Sequence, residues 1–160
     1  MLDADALNCV AKQPEILLRK KAPIIITPHP GEMSRLTGLA TPLVNAERER
    51  VALDFAQKYG VVTVLKGAGT VIASPNGKVL VNPTGNSGMA TGGSGDVLAG
   101  TVASLVSRGI NETVASAMAV YIHGLAGDIA KDKYGIESVT ASKVMECIPC
   151  ALRQILQVEN

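Results

Sequence analysis

The chain has 160 residues, 15 basic against 14 acidic side chains for a net charge of +1, 47% hydrophobic residues, and only three Tyr and one Phe as aromatics. High apolar content with almost no net charge excludes intrinsic disorder, and the length suits one domain with a real core. The missing basic excess and the scarcity of stacking rings argue against a nucleic-acid partner, duplex or single-stranded.

In chain order, residues 4–20 read as one or two short helices separated by Pro14. Pro23-Ile24-Ile25-Ile26 is a short β-branched run bounded by Pro28 and predicts a buried strand. Pro30 suits the first turn of a short helix to about Thr37, ended by Gly38. Residues 43–59 carry Val44, Val51, Leu53, Phe55 and Ala56 among charges, a surface helix stopped by Gly60. Val61–Leu65 is a second buried strand. Thr70–Ala73 and Lys78–Val81 flank Ser74-Pro75-Asn76-Gly77, whose Asn-Gly pair predicts a hairpin.

From Asp96 onward Val97, Leu98, Thr101, Val102, Leu105 and Val106 share one helical face. Asn111 caps a further helix to about Lys131, apolar enough to be largely buried. Thr140 caps the last helix, which Pro149 is expected to kink or split. Alternating strands and helices predict an α/β fold with a mostly parallel central sheet. Two buried strands are few for such a sheet, and no strand precedes Met1-Leu2-Asp3; the expectation is the C-terminal portion of a larger domain.

No run of 18 apolar residues predicts a membrane span, and the acidic start is no secretion signal. Cys9, Cys147 and Cys150 read as ordinary thiols, since one C-x-x-C without a second pair makes no zinc site. The expected compartment is a reducing cytoplasm.

Three segments carry chemistry. Asn82–Asp96 is glycine-rich and joins a strand to a patterned helix. Its glycines let backbone N–H groups face a ligand, and the helix start adds free N–H groups and a positive dipole end. Gly92, Gly93, Ser94 and Gly95 are the candidate anion hole for a phosphate. The loop is neither a Walker loop nor a dinucleotide fingerprint. Asp96 is a candidate general base beside that hole, or only a helix cap.

Thr27-Pro-His-Pro-Gly-Glu32 follows a buried strand, where ligands bind in open α/β sheets. His29 is a candidate substrate ligand. Glu32 either orients a magnesium-bound water or complements its helix dipole. Lys66-Gly67-Ala68-Gly69-Thr70 follows the second strand and reads as a nucleotide contact or a solvated turn. His123 reads as a core or site-edge histidine. Asp3 and Asp5 cap the first helix or lie near the phosphates.

Taken in order, these segments resemble the ADP-dependent NAD(P)H-hydrate dehydratases. The resemblance is carried by Leu2–Asn8, Thr27–Leu36, Lys66–Ala73 and Gly85–Leu98, with Ala119–Gly124 and Thr140–Ser142 also fitting. It implies a ribokinase-like layered α/β/α fold, here its C-terminal portion, as a single nucleotide-binding domain over residues 1–160. It implies restoration of NADHX or NADPHX, hydrated at nicotinamide C6, by phosphorylation of the C6 hydroxyl from ADP or ATP and loss of phosphate. With ADP the other product is AMP. By match to the family motifs, His29 and Asp96 are substrate-binding, Lys66, Gly67, Ala68, Gly69, Thr70 and Gly95 nucleotide-binding, Asp96 the base and Glu32 the magnesium glutamate. Magnesium and a homo-oligomer are likewise implied. The alternatives are a ribokinase-like kinase of a sugar or vitamin precursor, and a non-catalytic nucleotide-binding fragment.

Overall fold

In the computed structural model, which describes residues 1–156, three segments run side by side in one direction. Leu2 bridges Ile26 in parallel, and β1 (Ile25–Ile26) pairs in parallel with β2 (Val62–Leu65). β3 (Val71–Ala73) and β4 (Val79–Val81) complete a four-stranded sheet in the order β1-β2-β3-β4, both added antiparallel. The sheet is therefore mixed, and the expected parallel pattern holds only at its Leu2–β1–β2 end. The cause lies in the connections. Residues 66–70 are too few for a crossover helix, so β3 must return antiparallel. Gly77, at φ +95°, then turns β4 back onto β3. β3 is buried throughout, a third buried strand beyond the two read from the sequence.

Side-chain alternation along the strands divides the core in two. Ile25, Val62, Val64 and Ile72 pack against α5 (Ser94–Ser107), α6 (Glu112–Tyr134) and α7 (Ala141–Leu156). Ile26, Val61, Leu65, Val71 and Ala73 face α1 (Asp5–Val10), α2 (Pro30–Thr37), α3 (Thr41–Ala46) and α4 (Arg48–Tyr59). Helices thus cover both faces, the layered α/β/α arrangement expected. Pro14–Arg19 forms a 3-10 helix after α1.

The predicted helix over 43–59 is two helices. Helical geometry lapses at Glu47 (φ −125°, ψ 42°), and Arg48 turns inward to donate to the Leu65 carbonyl at 2.8 Å. Pro149 does not split the last helix. α7 runs unbroken through it, anchored on its buried side by Val144, Cys147 and Ala151. α6 is long and apolar enough to cross a membrane by length and composition. Its apolarity has a nearer cause, because 56% of that stretch is buried inside the protein, against α5, α7 and the sheet.

Thr63 sits in β2 with no exposed surface, and its Oγ1 has no hydrogen-bond partner among the described residues. Thr63→Val keeps the shape and removes an unsatisfied hydroxyl, so unfolding free energy is expected to rise by about 1 to 2 kcal/mol. A urea midpoint that falls instead would mean that the hydroxyl is satisfied in solution.

Candidate active site

The parallel ends of the sheet bring three charged segments together. Asp3 follows the Leu2 bridge, His29 and Glu32 follow β1, and Lys66 follows β2. Lys66 Nζ lies 2.7 Å from Asp3 Oδ1 and 3.9 Å from Glu32 Oε2. Asp3 is therefore a partner of Lys66, and it makes no side-chain capping bond to α1. Ala4, next to it, holds φ +48°, a conformation costing a non-glycine residue about 1 to 3 kcal/mol.

His29 caps α2. Its Nδ1 accepts from Gly31 N at 3.0 Å and Glu32 N at 3.3 Å, while its own N–H donates to Glu32 Oε2 at 2.7 Å. This reciprocal cap assigns the ring proton of neutral His29 to Nε2, which lies 3.6 Å from Glu32 Oε1 on a half-exposed side chain. Glu32 does complement the start of its helix, and its carboxylate is buried between His29 and Lys66.

The glycine-rich loop enters α5 at Gly93, whose φ of +85° places it in a conformation that favours glycine. No side chain caps this helix. Among the described residues the amides of Gly92, Gly93 and Gly95 donate to no other group of the chain. A Cβ placed on Gly95 would stand 3.6 Å from Lys66 Nζ and 3.9 Å from Asp3 Oδ2. The start of α5 therefore lies beside an ammonium, the pairing of helix N-terminus and positive charge that suits a phosphate.

A cleft of about 700 Å³ opens there. His29, Lys66, Gly67, Ala68, Gly69, Thr70, Ser94 and Gly95 all line it. Gly92, Gly93 and Asp96 are exposed and do not line it. The Asp96 side chain makes no capping bond, so the reading of it as a mere cap by hydrogen bonding has no support. Sequence reasoning gave no role to Thr84, which ties the loop to α6, or to Gly124, Gly127 and Asp128, which receive the loop on that helix. Gly124 and Gly127 were the available signal, since two glycines inside a buried helix each need a reason.

The family model for NAD(P)H-hydrate dehydratase matches residues 1–150. The chain belongs to the NAD(P)H-hydrate dehydratase family. A bifunctional NAD(P)H-hydrate repair enzyme of Moorella thermoacetica is 44% identical over 97% of this chain and 29% of its own length. The ADP-dependent (S)-NAD(P)H-hydrate dehydratase of Neisseria meningitidis is 41% identical over 85% of this chain and 47% of its own. The crystal structure of the ADP/ATP-dependent NAD(P)H-hydrate dehydratase of Bacillus subtilis, co-crystallised with ATP and magnesium, superposes with a TM-score of 0.80 at 35% identity. That match covers 82% of this chain and 48% of the Bacillus chain. A ribokinase-like superfamily protein of Enterococcus faecalis matches at TM-score 0.74 and 30% identity, over 95% of this chain and 51% of its own. The fold is ribokinase-like. The chain spans less than half the length of these dehydratase and repair relatives.

Among the described residues of this family member no three His, Cys, Asp or Glu side chains converge as a metal cage. Magnesium commonly binds through one or two carboxylates, waters and substrate phosphates. Glu32, 3.9 Å from Lys66 Nζ, is such a carboxylate, but it is buried behind the cleft rather than lining it, so it would act through water.

His123 projects from α6 into the same cleft, 8% exposed, with Nε2 3.5 Å from Ser94 Oγ. Burial pushes its pKa down from 6.5 to about 4, partly opposed by a hydrogen bond to Ser94. Between those values the unfolded chain binds a proton that the folded chain refuses. Stability should therefore fall as pH drops from about 6.5 to about 4, by about 3 kcal/mol for this group. In His123→Gln this part of the pH dependence should vanish from unfolding curves. An unchanged slope would mean that His123 titrates normally.

Proposed function

We propose that this chain carries the nucleotide- and phosphoryl-handling part of an ADP-dependent (S)-NAD(P)H-hydrate dehydratase, acting on NADHX and NADPHX. The supporting observation is the approach of Gly95, at the open start of α5, to the ammonium of Lys66. Gly92, Gly93, Ser94 and Gly95 form the anion hole for the transferred phosphoryl group. Lys66, Gly67, Ala68, Gly69 and Thr70 hold the nucleotide. His29 donates from Nε2 to the substrate, and Asp96 takes the proton of the C6 hydroxyl. Magnesium would be held by the nucleotide phosphates and, through water, by Glu32; when bound it neutralises phosphoryl charge.

The chemistry balances without an oxidant or reductant. The C6 oxygen forms a bond to the β-phosphorus of ADP while the bridging P–O bond breaks, releasing AMP. The proton leaves to Asp96. The ring nitrogen lone pair then expels phosphate from C6, and loss of a C5 proton restores the dihydronicotinamide. Hydroxide leaves poorly and phosphate well, which is why a phosphoryl donor is needed. Fixed amides around the phosphoryl group stabilise its developing charge without reorganisation.

Incubation with NADHX, ADP and magnesium, followed by near-ultraviolet absorbance, is the test. An ADP-dependent rise that yields AMP and phosphate is the expected result. A stable phosphorylated product would make the chain a small-molecule kinase, and ADP binding without turnover a nucleotide-binding fragment. The same reading takes residues 1–160 as one nucleotide-binding domain, in a reducing cytoplasm that suits its free thiols. It also takes the protein as a homo-oligomer, for which the half-exposed Leu80 and Val81 on edge strand β4 are support; a monomeric mass by light scattering would remove that part.

A further inference from the structure

The loop between β4 and α5 is folded against one face of α6. Thr84 Oγ1 donates to the Tyr121 carbonyl at 3.0 Å, and its backbone lies so close to α6 that a Cβ on Gly124 would meet the Thr84 carbonyl carbon at 2.8 Å. One turn further, a Cβ on Gly127 would collide with the Met89 sulfur. The next residue, Asp128, makes the polar contact. Its Oδ2 accepts from Gly85 N at 2.8 Å and its Oδ1 from Asn86 Nδ2 at 2.9 Å. Asn86 passes the restraint on, because its own Oδ1 accepts from Gly88 N at 3.1 Å and its carbonyl accepts from Met89 N at 3.1 Å. Those residues lead directly into Thr91 and the free amides of Gly92, Gly93 and Gly95.

We infer that Asp128 is the positioning residue of the phosphate-receiving loop. It touches no ligand and acts by holding Gly85 and Asn86 on α6, so that the loop keeps its shape before nucleotide arrives. The inference rests on the nucleotide reading above and deepens it. A carboxylate suits the task because two donors side by side need two acceptor oxygens, and a charged acceptor strengthens both bonds. The two glycines complete the device by letting Thr84 and Met89 close onto the helix. When such a clamp is released, the loop adopts its binding shape for only a fraction of the time, and apparent affinity falls by that fraction.

The test is a swap of partners in the full chain. Asp128→Ala should weaken ADP binding, measured by calorimetry with magnesium, by about 10- to 100-fold, while kcat at saturating ADP stays within about threefold. Asn86→Asp sets two carboxylates against each other and should weaken binding likewise. Asp128→Asn leaves one acceptor facing two donors and should fall between. Combining Asp128→Asn with Asn86→Asp restores both hydrogen bonds: the amide at 128 donates to the carboxylate at 86, and its oxygen accepts from Gly85 N. Affinity in the double variant should return to within about threefold of the parent, a rescue no general loss of stability produces. Amide exchange without nucleotide is the second arm. In Asp128→Ala, residues 85–95 should exchange at least about tenfold faster while β2 keeps its protection. Unchanged loop exchange, or a double variant no better than the weaker single, overturns the inference. A parent protein that binds no ADP overturns the nucleotide reading instead, and the exchange arm still decides whether Asp128 holds the loop.

Discussion

Asp96→Asn is expected to lower turnover by about a thousandfold while ADP affinity stays within about threefold, because under the proposed function it removes the general base and keeps its shape. Asp96 stands in the first turn of α5, exposed and without a capping bond, so its carboxylate is free to receive a proton. Being exposed, it contributes little to the fold, and its loss should leave the melting temperature almost unchanged. The comparison is a single-turnover measurement of restored NADH beside an ADP titration. Near-parental turnover would reduce Asp96 to a favourable charge at the start of a helix.

Gly95→Val is expected to abolish measurable nucleotide binding, a loss of at least about a hundredfold, without unfolding the protein. The two effects separate because of where the new carbons go. A Cβ at this position meets Lys66 Nζ at 3.6 Å and Asp3 Oδ2 at 3.9 Å, ordinary contacts that the protein tolerates. Gly95 also lies inside α5 outside the left-handed region, so Val costs the helix nothing relative to glycine. The added methyl groups instead fill the space beside the free Gly95 amide, where a phosphate oxygen would sit. Unchanged ADP affinity in a folded variant would refute the anion hole.

The candidate site was legible segment by segment. Buried strands followed at once by Pro28-His29-Pro30-Gly31-Glu32 or by Lys66-Gly67 announce residues at the carboxyl ends of strands, and the structure sets both on that rim. Helix starts at Pro30 and Asn111 were legible because their determinants lie within a turn of the boundary: proline at the first position, and an Asn side chain accepting from Thr113 and Val114. The break at Glu47 was not, since nothing local marks it and Arg48 is drawn to a carbonyl in β2 far along the chain. The antiparallel β3–β4 hairpin was legible from Asn76-Gly77, but the antiparallel return of β3 onto β2 was not, because it depends on which edge the strand joins.

The sequence by itself determined most of the elements, the two-sided burial of β2 and the residue types on the rim, because hydrophobic period, caps and turn residues act over a few positions. It also identified the NAD(P)H-hydrate dehydratase family through the order of its motifs. Only the tertiary structure decided that Asp3 pairs with Lys66, 63 positions away, that Gly95 abuts that pair, and that Asp128 reaches back to Gly85 and Asn86. Hydrogen bonds and close approaches of this kind depend on how α6 and the strand ends lie against one another. That placement is fixed by packing across the whole core, which no local stretch of sequence records.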